Sequence, residues 1–182
     1  MRLVPLPIIA LSIAIAGCTG LPDGIEPVSG FNADRYLGTW YEIARLDHSF
    51  EEGLTNVVAE YRYNDDGSIE VINRGYSPEE SEWQEAEGKA WFVGEEDVGH
   101  LKVSFFGPFY SSYVVFELDR DDYQYAYVTG YDRDYLWFLS RTPTVSEHAL
   151  EDFRSVAEAQ GFNTDELIIV EQDRHLSESQ SD

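Results

Sequence analysis

Histidines and carboxylates are the residues of this chain whose types most readily support metal or acid–base chemistry. The histidines are His48, His100, His148 and His175. A metal centre needs several His, Cys or carboxylate ligands at a spacing that brings them together. Glu147 and His148 are adjacent, so their side chains point apart on a helix. The spacing therefore predicts no metal ligands.

Catalytic motifs are also missing from the sequence. Ser, His and Asp all occur, but the Gly-x-Ser-x-Gly pattern of a nucleophile elbow does not. No glycine cluster has the spacing of a phosphate or dinucleotide loop, and Asp65-Asp66-Gly67 lacks the later glutamate of a calcium loop. We therefore predict no catalytic residue and no cofactor, and expect a protein that is not an enzyme.

Cys18 is the one cysteine, and its position indicates lipidation. It follows an apolar run from Leu3 to Ala16, which is too short for the ~20 residues of a spanning helix. Residues 1–17 are therefore predicted to be a secretory signal peptide. The ending Ile15-Ala16-Gly17-Cys18 resembles the bacterial lipobox, in which the cysteine thiol accepts diacylglycerol. Threonine at position 19, rather than aspartate, is associated with sorting to the outer membrane.

A lipidated Cys18 would hold the protein firmly. A processed lipoprotein cysteine carries up to three acyl chains, including palmitate, and each buried methylene contributes ~0.8 kcal/mol. Stable attachment to a membrane needs two lipid signals, and a cysteine that carries up to three acyl chains meets this requirement. We therefore expect a lipid-anchored protein of the outer membrane, on its periplasmic face.

The charge of the chain excludes one class of partner. Asp and Glu number 35 against 12 Lys and Arg, giving a net charge of −23. Nucleic-acid binding needs clustered basic residues, so we expect no nucleic-acid partner. Such a charge also disfavours attraction to anionic lipid headgroups. It is typical of solubility in a saline or acid-rich habitat.

Short strands dominate the chain after a polar lead. Residues 18–30 are rich in Pro and Gly and are predicted to be a tether. Asn32 is a candidate cap for a short helical turn. Alternating runs separated by turns then predict eight strands between Gly38 and Ser140, joined as hairpins. This pattern is typical of an all-β, antiparallel, up-and-down barrel, which leaves no exposed edge.

The periodicity becomes helical after the strands. Leu150, Phe153, Val156 and Ala157 recur at helical spacing, with Ser146 as a cap candidate. One amphipathic helix is therefore expected against the outside of the barrel, ending at Gly161. Leu167 to Val170 is predicted to be a final short strand. We place one domain at 31–172 and expect residues 173–182 to be disordered.

Three segments together resemble the lipocalin family. The first is Gly38-Thr39-Trp40-Tyr41-Glu42-Ile43-Ala44-Arg45, the second Asp132 to Pro143, and the third Leu101 to Tyr110. In their order along the chain, these segments look like a lipocalin of the bacterial outer-membrane lipoprotein type, over roughly Phe31 to Gln172. The resemblance implies that Trp40, two residues after Gly38, closes the barrel floor. It also implies that Arg141 stacks across Trp40 in a structural role.

The barrel interior has two possible states, filled by side chains or holding a small ligand. Ala86, Gly88 and Ala90 alternate with charged residues, so one face of their strand carries little bulk. A solid core would place large side chains there, which favours a cavity. The predicted cavity residues are Tyr61, Val71, Asn73, Ala86, Gly88, Ala90, Val103, Phe105 and Tyr113.

The family resemblance supplies the ligand class. It implies a barrel that binds a fatty acid or lysophospholipid, for lipid storage or transport in envelope maintenance or stress. Two alternatives stay open: a lipocalin-like enzyme that acts on a lipid, and an interaction module of the envelope without a ligand. A homodimer is compatible with each of these hypotheses.

Overall fold

The computed structural model describes residues 19–175. The predicted signal peptide, the lipidation site Cys18 and residues 176–182 lie outside the described residues. No helix among residues 19–175 is long and apolar enough to cross a membrane.

Short strands account for most of the chain, as the turn spacing predicts. Helix α1 (Ala33–Tyr36) precedes the strands, helix α2 (Glu147–Ala159) follows the eighth, and a 3₁₀ turn (Thr164–Glu166) precedes the ninth. The strands are β1 (Gly38–Arg45), β2 (Thr55–Tyr63), β3 (Ile69–Ser77), β4 (Glu82–Phe92), β5 (His100–Ser104), β6 (Ser111–Leu118), β7 (Tyr125–Thr129), β8 (Leu136–Ser140) and β9 (Ile168–Ile169).

The first eight strands close into a barrel. Each pairs antiparallel with the next, and β1 pairs with both β2 and β8, which closes the sheet. Strand β9 adds to β1 outside this circle. The predicted eight-stranded up-and-down barrel is therefore confirmed. Because the connections are hairpins, loops 46–54, 105–110 and 130–135 meet at one end of the barrel, which we call the mouth. The end covered by α1 is the floor.

Helix α2 packs on the outside of the barrel, as its amphipathic pattern predicts. Ser146 caps it, because its Oγ accepts a hydrogen bond from the backbone N–H of Ala149 at 3.2 Å. Phe153 is fully buried, and its ring lies 5.0 Å from that of Phe138 and 4.9 Å from that of Tyr127. This outer core is separate from the cluster inside the barrel that contains Trp40 and Tyr61.

The segment predicted to be a tether contacts the barrel instead of hanging free. Ile25 and Val28 are buried. The Val28 N–H donates to the Val115 carbonyl at 2.9 Å, and the Gly99 N–H donates to the Val28 carbonyl at 2.8 Å. A Cβ on Gly99 would lie 2.8 Å from Val28 Cγ2, so glycine permits this close approach. The backbone bonds fix the chain even though its apolar residues follow no strand period.

The start of the tail also departs from expectation. Disorder is predicted from residue 173, yet Asp173 Oδ1 accepts a hydrogen bond from Asn56 Nδ2 at 3.0 Å. The Arg174 N–H donates to Asn56 Oδ1 at 2.9 Å. Asn56 is buried and has a left-handed backbone, with φ 54°. A polar stretch is therefore ordered here by long-range hydrogen bonds, which its composition does not reveal.

The barrel floor contains the predicted pair of Trp40 and Arg141. The guanidinium carbon of Arg141 lies 3.8 Å from the centroid of the Trp40 ring. The Trp40 indole N–H donates to the Tyr36 carbonyl at 2.8 Å. Gly38 has φ +91°, and a Cβ there would lie 3.5 Å from Arg141 Nη1. Glycine at this position therefore supplies a conformation that other residues rarely adopt.

Candidate ligand-binding cavity

A cavity of about 330 Å³ occupies the barrel and opens at the mouth. Its wall is mostly apolar, with side chains such as Val57, Ile69, Leu101 and Leu139. Among the described residues that line it, none is Lys or Arg. Such a wall suits an apolar ligand whose orientation is set by a few polar groups.

Most of the predicted cavity residues lie on this wall. Those that line the cavity are Tyr61, Val71, Asn73, Ala90, Val103, Phe105 and Tyr113. Ala86 and Gly88 do not belong to the lining. Period-2 alternation alone therefore places too much of β4 in the site.

The geometry of β4 explains why two small residues fall outside. Strand β4 has 11 residues, but β5 pairs with it only from Lys89 to Phe92. Ala86 therefore has a partner only on β3, where it pairs with Asn73. Gly88 is covered by Phe105, because a Cβ on Gly88 would lie 2.8 Å from Phe105 Cδ1. Ala90, which is buried, is the small residue of this face that meets the cavity.

Three tyrosine hydroxyls form a polar group near the floor. The Tyr36 and Tyr113 hydroxyl oxygens are 2.6 Å apart, and the Tyr61 hydroxyl donates to that of Tyr113 at 2.9 Å. Burial raises the pKa of all three phenols, so they are neutral at physiological pH. Sequence reasoning missed Tyr36, because it lies on α1 and outside the strand alternation.

Near the mouth lies a cluster of charged side chains that strand alternation does not predict. Arg45 is 1% exposed, Glu42 3% and Glu51 5%. Arg45 Nη1 donates to Glu42 Oε1 at 2.7 Å, and Nη2 donates to the Glu51 and Leu54 carbonyls at 2.9 and 3.1 Å. A bulge between Glu42 and Ala44 shifts the alternation of β1. The sequence feature that could have indicated this cluster is the presence of two charged residues, Glu42 and Arg45, in a strand whose neighbouring residues are apolar.

The two carboxyl groups have opposite pKa shifts. Burial and the nearby Glu51 raise the pKa of Glu42 well above its ordinary value, and Arg45 offsets this only in part. Burial also acts to raise the pKa of Glu51, but the adjacent His48, the hydrogen bond from Trp137 and the charge of Arg45 outweigh it and lower that pKa. Of the two carboxyl groups, Glu42 therefore keeps its proton to higher pH than Glu51.

His48 lies beside Glu51 at the mouth. Its Nε2 is 3.3 Å from Glu51 Oε2, and its side chain is 6% exposed. Within residues 19–175, neither Nδ1 nor Nε2 of His48 makes a hydrogen bond of good geometry. Its ring lies 6.4 Å from that of Phe50, 5.6 Å from Tyr135 and 5.0 Å from Trp137. No sequence pattern predicts a role for His48, because Glu51 and the rings come from different loops and strands.

Two further aromatic rings at the mouth are exposed to solvent. Phe106 is 74% exposed and Phe109 is 73% exposed, and both also line the cavity. Large apolar side chains with this exposure are unusual on a soluble surface. They give the entrance an apolar rim.

Residues 19–175 contain no group of three or more His, Cys, Asp or Glu side chains arranged to hold a metal ion. His148 lies 3.4 Å from Asp152, one helical turn away, but both side chains are largely exposed.

Comparison with known proteins identifies the family of this barrel. The family described as a lipocalin-like domain matches residues 31–172. The chain is a lipocalin. It is 58% identical to the outer membrane lipoprotein Blc of Vibrio cholerae over 165 residues, covering 91% of this chain and 96% of that protein. It is 50% identical to the protein of the same name from Escherichia coli K12, covering 94% and 98%.

Solved structures agree with the lipocalin fold. Insecticyanin from the tobacco hornworm Manduca sexta superposes with a TM-score of 0.65 at 20% identity, covering 84% of this lipocalin and 86% of that chain. The cockroach allergen Per a 4 gives 0.64 at 22% identity, covering 84% and 95%. At these identities the likeness concerns the fold of the lipocalin alone.

Proposed function

We propose that this lipocalin binds a single-chain lipid, a fatty acid or lysophospholipid, inside its barrel. The observation that carries the proposal is the cavity of about 330 Å³ with an apolar wall, open at one end. Burial of an alkyl chain there contributes ~0.8 kcal/mol per methylene. Chain length is therefore expected to dominate affinity.

The shape of the cavity supports a chain that enters from the mouth. Ala90 and Ala59 leave space on the wall, and the tyrosine hydroxyls limit the depth near the floor. Phe106 and Phe109 at the rim offer the chain an apolar surface during entry. The headgroup then remains at the mouth, close to Glu42, His48 and Glu51.

We also propose that the protein is anchored to the outer membrane, on its periplasmic face, and serves lipid storage or transport there. The relatives from Vibrio cholerae and Escherichia coli are outer membrane lipoproteins by name. Cys18 ends a lipobox-like sequence. It directly precedes a segment held on the barrel, where Ser112 Oγ donates to the Gly20 carbonyl. The anchor and the cavity are therefore joined by very little free chain.

Binding rather than catalysis is the function that the cavity groups support. The titratable side chains at the mouth contact one another, Arg45 and Trp137. An enzyme would need one of these groups aimed at a reacting atom of the lipid. Incubation with lysophospholipids and fatty acid hydroperoxides tests this alternative, and unchanged lipid is the expected result.

Native mass spectrometry of the protein released gently from membranes tests the proposal. We expect adducts with the mass of single-chain lipids, which dissociate on activation. The same spectrum reports whether the protein is a homodimer. An empty barrel, combined with no displacement of a fluorescent fatty acid by any single-chain lipid, would contradict lipid binding and favour the interaction module.

A further inference from the structure

The three tyrosine hydroxyls near the floor hold one more proton than they use among themselves. Within residues 19–175, their hydrogen bonds are the one between Tyr36 and Tyr113 and the one that Tyr61 donates to Tyr113. Each phenol has one O–H to donate, so three protons serve two bonds. If Tyr36 donates to Tyr113, the proton of Tyr113 is left over, and in the opposite arrangement that of Tyr36 is. The group therefore always has one O–H left to donate.

The acceptor for this O–H must come from the contents of the cavity. Tyr36 is 4% exposed and Tyr61 7%, and both line the cavity together with Tyr113. The side chains packed in the same cluster, such as Val71 and Leu101, are apolar. A buried donor without a partner costs free energy, which an acceptor atom on a ligand recovers. The tyrosines thus offer a ligand one hydrogen bond deep in an apolar barrel.

A cation beneath the floor determines which kind of atom this point favours. Nη2 of Arg141 donates to the Tyr36 carbonyl at 3.2 Å, and the Trp40 indole N–H donates to the same carbonyl at 2.8 Å. Burial raises the pKa of Tyr36 and Tyr61, and the positive charge of Arg141 acts against that rise. The same charge attracts an atom with partial negative charge and repels a cation. An oxygen acceptor is therefore favoured here over an amine.

We propose that the hydroxyls of Tyr36, Tyr61 and Tyr113 form a subsite for an oxygen atom carried near the methyl end of the bound acyl chain. This inference rests on the proposed function, in which the chain enters from the mouth and its far end reaches the floor. The ligands that fit are single-chain lipids with a hydroxyl or keto group remote from the headgroup. Their oxygen accepts the free O–H, and a ligand hydroxyl can also donate to the Tyr61 oxygen, which acts as the donor within the group.

Fatty acids with and without a terminal hydroxyl test the subsite. We would measure dissociation constants of the purified lipid-free protein for lauric, myristic and palmitic acids and for the ω-hydroxy acid of each. In an apolar site that offers no partner, an added hydroxyl weakens binding about tenfold or more. For the chain length that reaches the tyrosines, the ω-hydroxy acid is instead expected to bind at least as tightly as its parent.

The two ways in which this experiment can fail are distinct. Weaker binding of the ω-hydroxy acid at every chain length would overturn the subsite but leave lipid binding intact. No binding of any fatty acid would contradict the proposed function itself.

Replacing all three tyrosines by phenylalanine removes the hydroxyls and keeps the rings. Donors and acceptors are removed together, so no buried partner is left behind and the barrel should fold, which circular dichroism checks. The combined variant Tyr36→Phe, Tyr61→Phe and Tyr113→Phe is expected to bind the ω-hydroxy acid about tenfold more weakly than the parent acid. Its affinity for the parent acid should stay native.

Tyr127→Phe is the matched control, because Tyr127 is also a buried tyrosine but lies outside the barrel, with its ring 4.9 Å from that of Phe153. It should keep the native ratio of the two affinities. A native ratio in the combined variant would overturn the proposal. So would a lost affinity of the folded combined variant for the parent acid, since the hydroxyls would then hold the carboxylate instead of the chain end.

A carbonyl probe tests the subsite in the native protein, whether or not the combined variant folds. The probe is palmitic acid with an isotope-labelled ketone beside its terminal methyl group, which can accept a hydrogen bond but not donate one. Infrared spectroscopy of the bound probe is expected to show its ketone stretch at a lower frequency than in hexane. A frequency equal to that in hexane would mean that the tyrosines donate nothing to the chain and would overturn the proposal.

Discussion

The guanidinium of Arg141 lies over the indole of Trp40, with 3.8 Å between the guanidinium carbon and the ring centroid. Its Nη1 also donates at 2.8 Å to the backbone carbonyl of Thr39, which is 102 residues earlier in the sequence. Its Nη2 donates to the Arg35 carbonyl, also at 2.8 Å. One side chain from the end of β8 thus ties α1 and β1 together beneath the cavity. Because the tie lies at the floor, it stabilises the barrel without reaching the mouth.

Arg141→Ala is therefore expected to lower the free energy of unfolding by about 2 to 4 kcal/mol, from lost stacking and lost charged hydrogen bonds. Urea denaturation measures this change. Arg62→Ala is the control, because Arg62 is an exposed arginine paired with Glu60 and should cost less than about 1 kcal/mol. Equal urea midpoints for the two variants would show that the floor contact is idle. Lipid affinity of folded Arg141→Ala should stay native.

Ala90→Trp is expected to fill part of the cavity and weaken lipid binding at least tenfold, as about 1.4 kcal/mol or more of chain burial is lost. Competition with a fluorescent fatty acid measures affinity, and circular dichroism measures folding. Ala86→Trp is the matched control on the same strand, because Ala86 does not line the cavity. Native affinity in folded Ala90→Trp, or an equal loss in both variants, would place the ligand elsewhere.

Glu42→Gln is expected to change how stability depends on pH. The folded-state pKa of Glu42 is raised, so above about pH 4.5 the unfolded chain releases this proton while the folded protein keeps it. Native stability therefore falls as pH rises from that value towards the folded-state pKa. Glutamine mimics the protonated acid and removes this loss.

The measurement is urea denaturation of both proteins at pH 5, 6 and 7. Stability of the variant relative to the native protein should increase with pH, by at most about 1.4 kcal/mol per pH unit. Glu87→Gln is the control, because Glu87 is exposed on the outer face of β4. Its stability should change with pH in parallel with that of the native protein. Parallel curves for Glu42→Gln as well would mean that Glu42 is ionised in the folded state.

Cys18→Ser is expected to abolish lipidation, because a serine hydroxyl does not replace the thiol that accepts diacylglycerol. Cells fed labelled palmitate report acylation, and membrane fractionation reports location. Label should be present on the native protein and absent from the variant. Label that persists on the serine protein would rule out Cys18 as the anchor. Incorporation into another lipoprotein of the same cells serves as the internal control.

The sequence by itself determined the barrel and the outer helix. Strand alternation, turn residues and the helical spacing of Leu150, Phe153 and Ala157 are local patterns, and local patterns predict local structure. The pairing of Trp40 with Arg141 was accessible only through the family resemblance of two motifs about a hundred residues apart. Neither the alternation nor the composition of either segment implies that contact.

Tertiary structure decided what the cavity presents to a ligand. Ala86, Gly88 and Ala90 lie on the same face of β4, but Ala86 and Gly88 do not line the cavity. Strand β5 ends before it reaches Ala86, and the ring of Phe105 covers Gly88. Glu51 and His48 lie on the loop between β1 and β2, and only folding brings them to Trp137 on β8. Strand ends and loop packing depend on partners distant in sequence, so no local period specifies them.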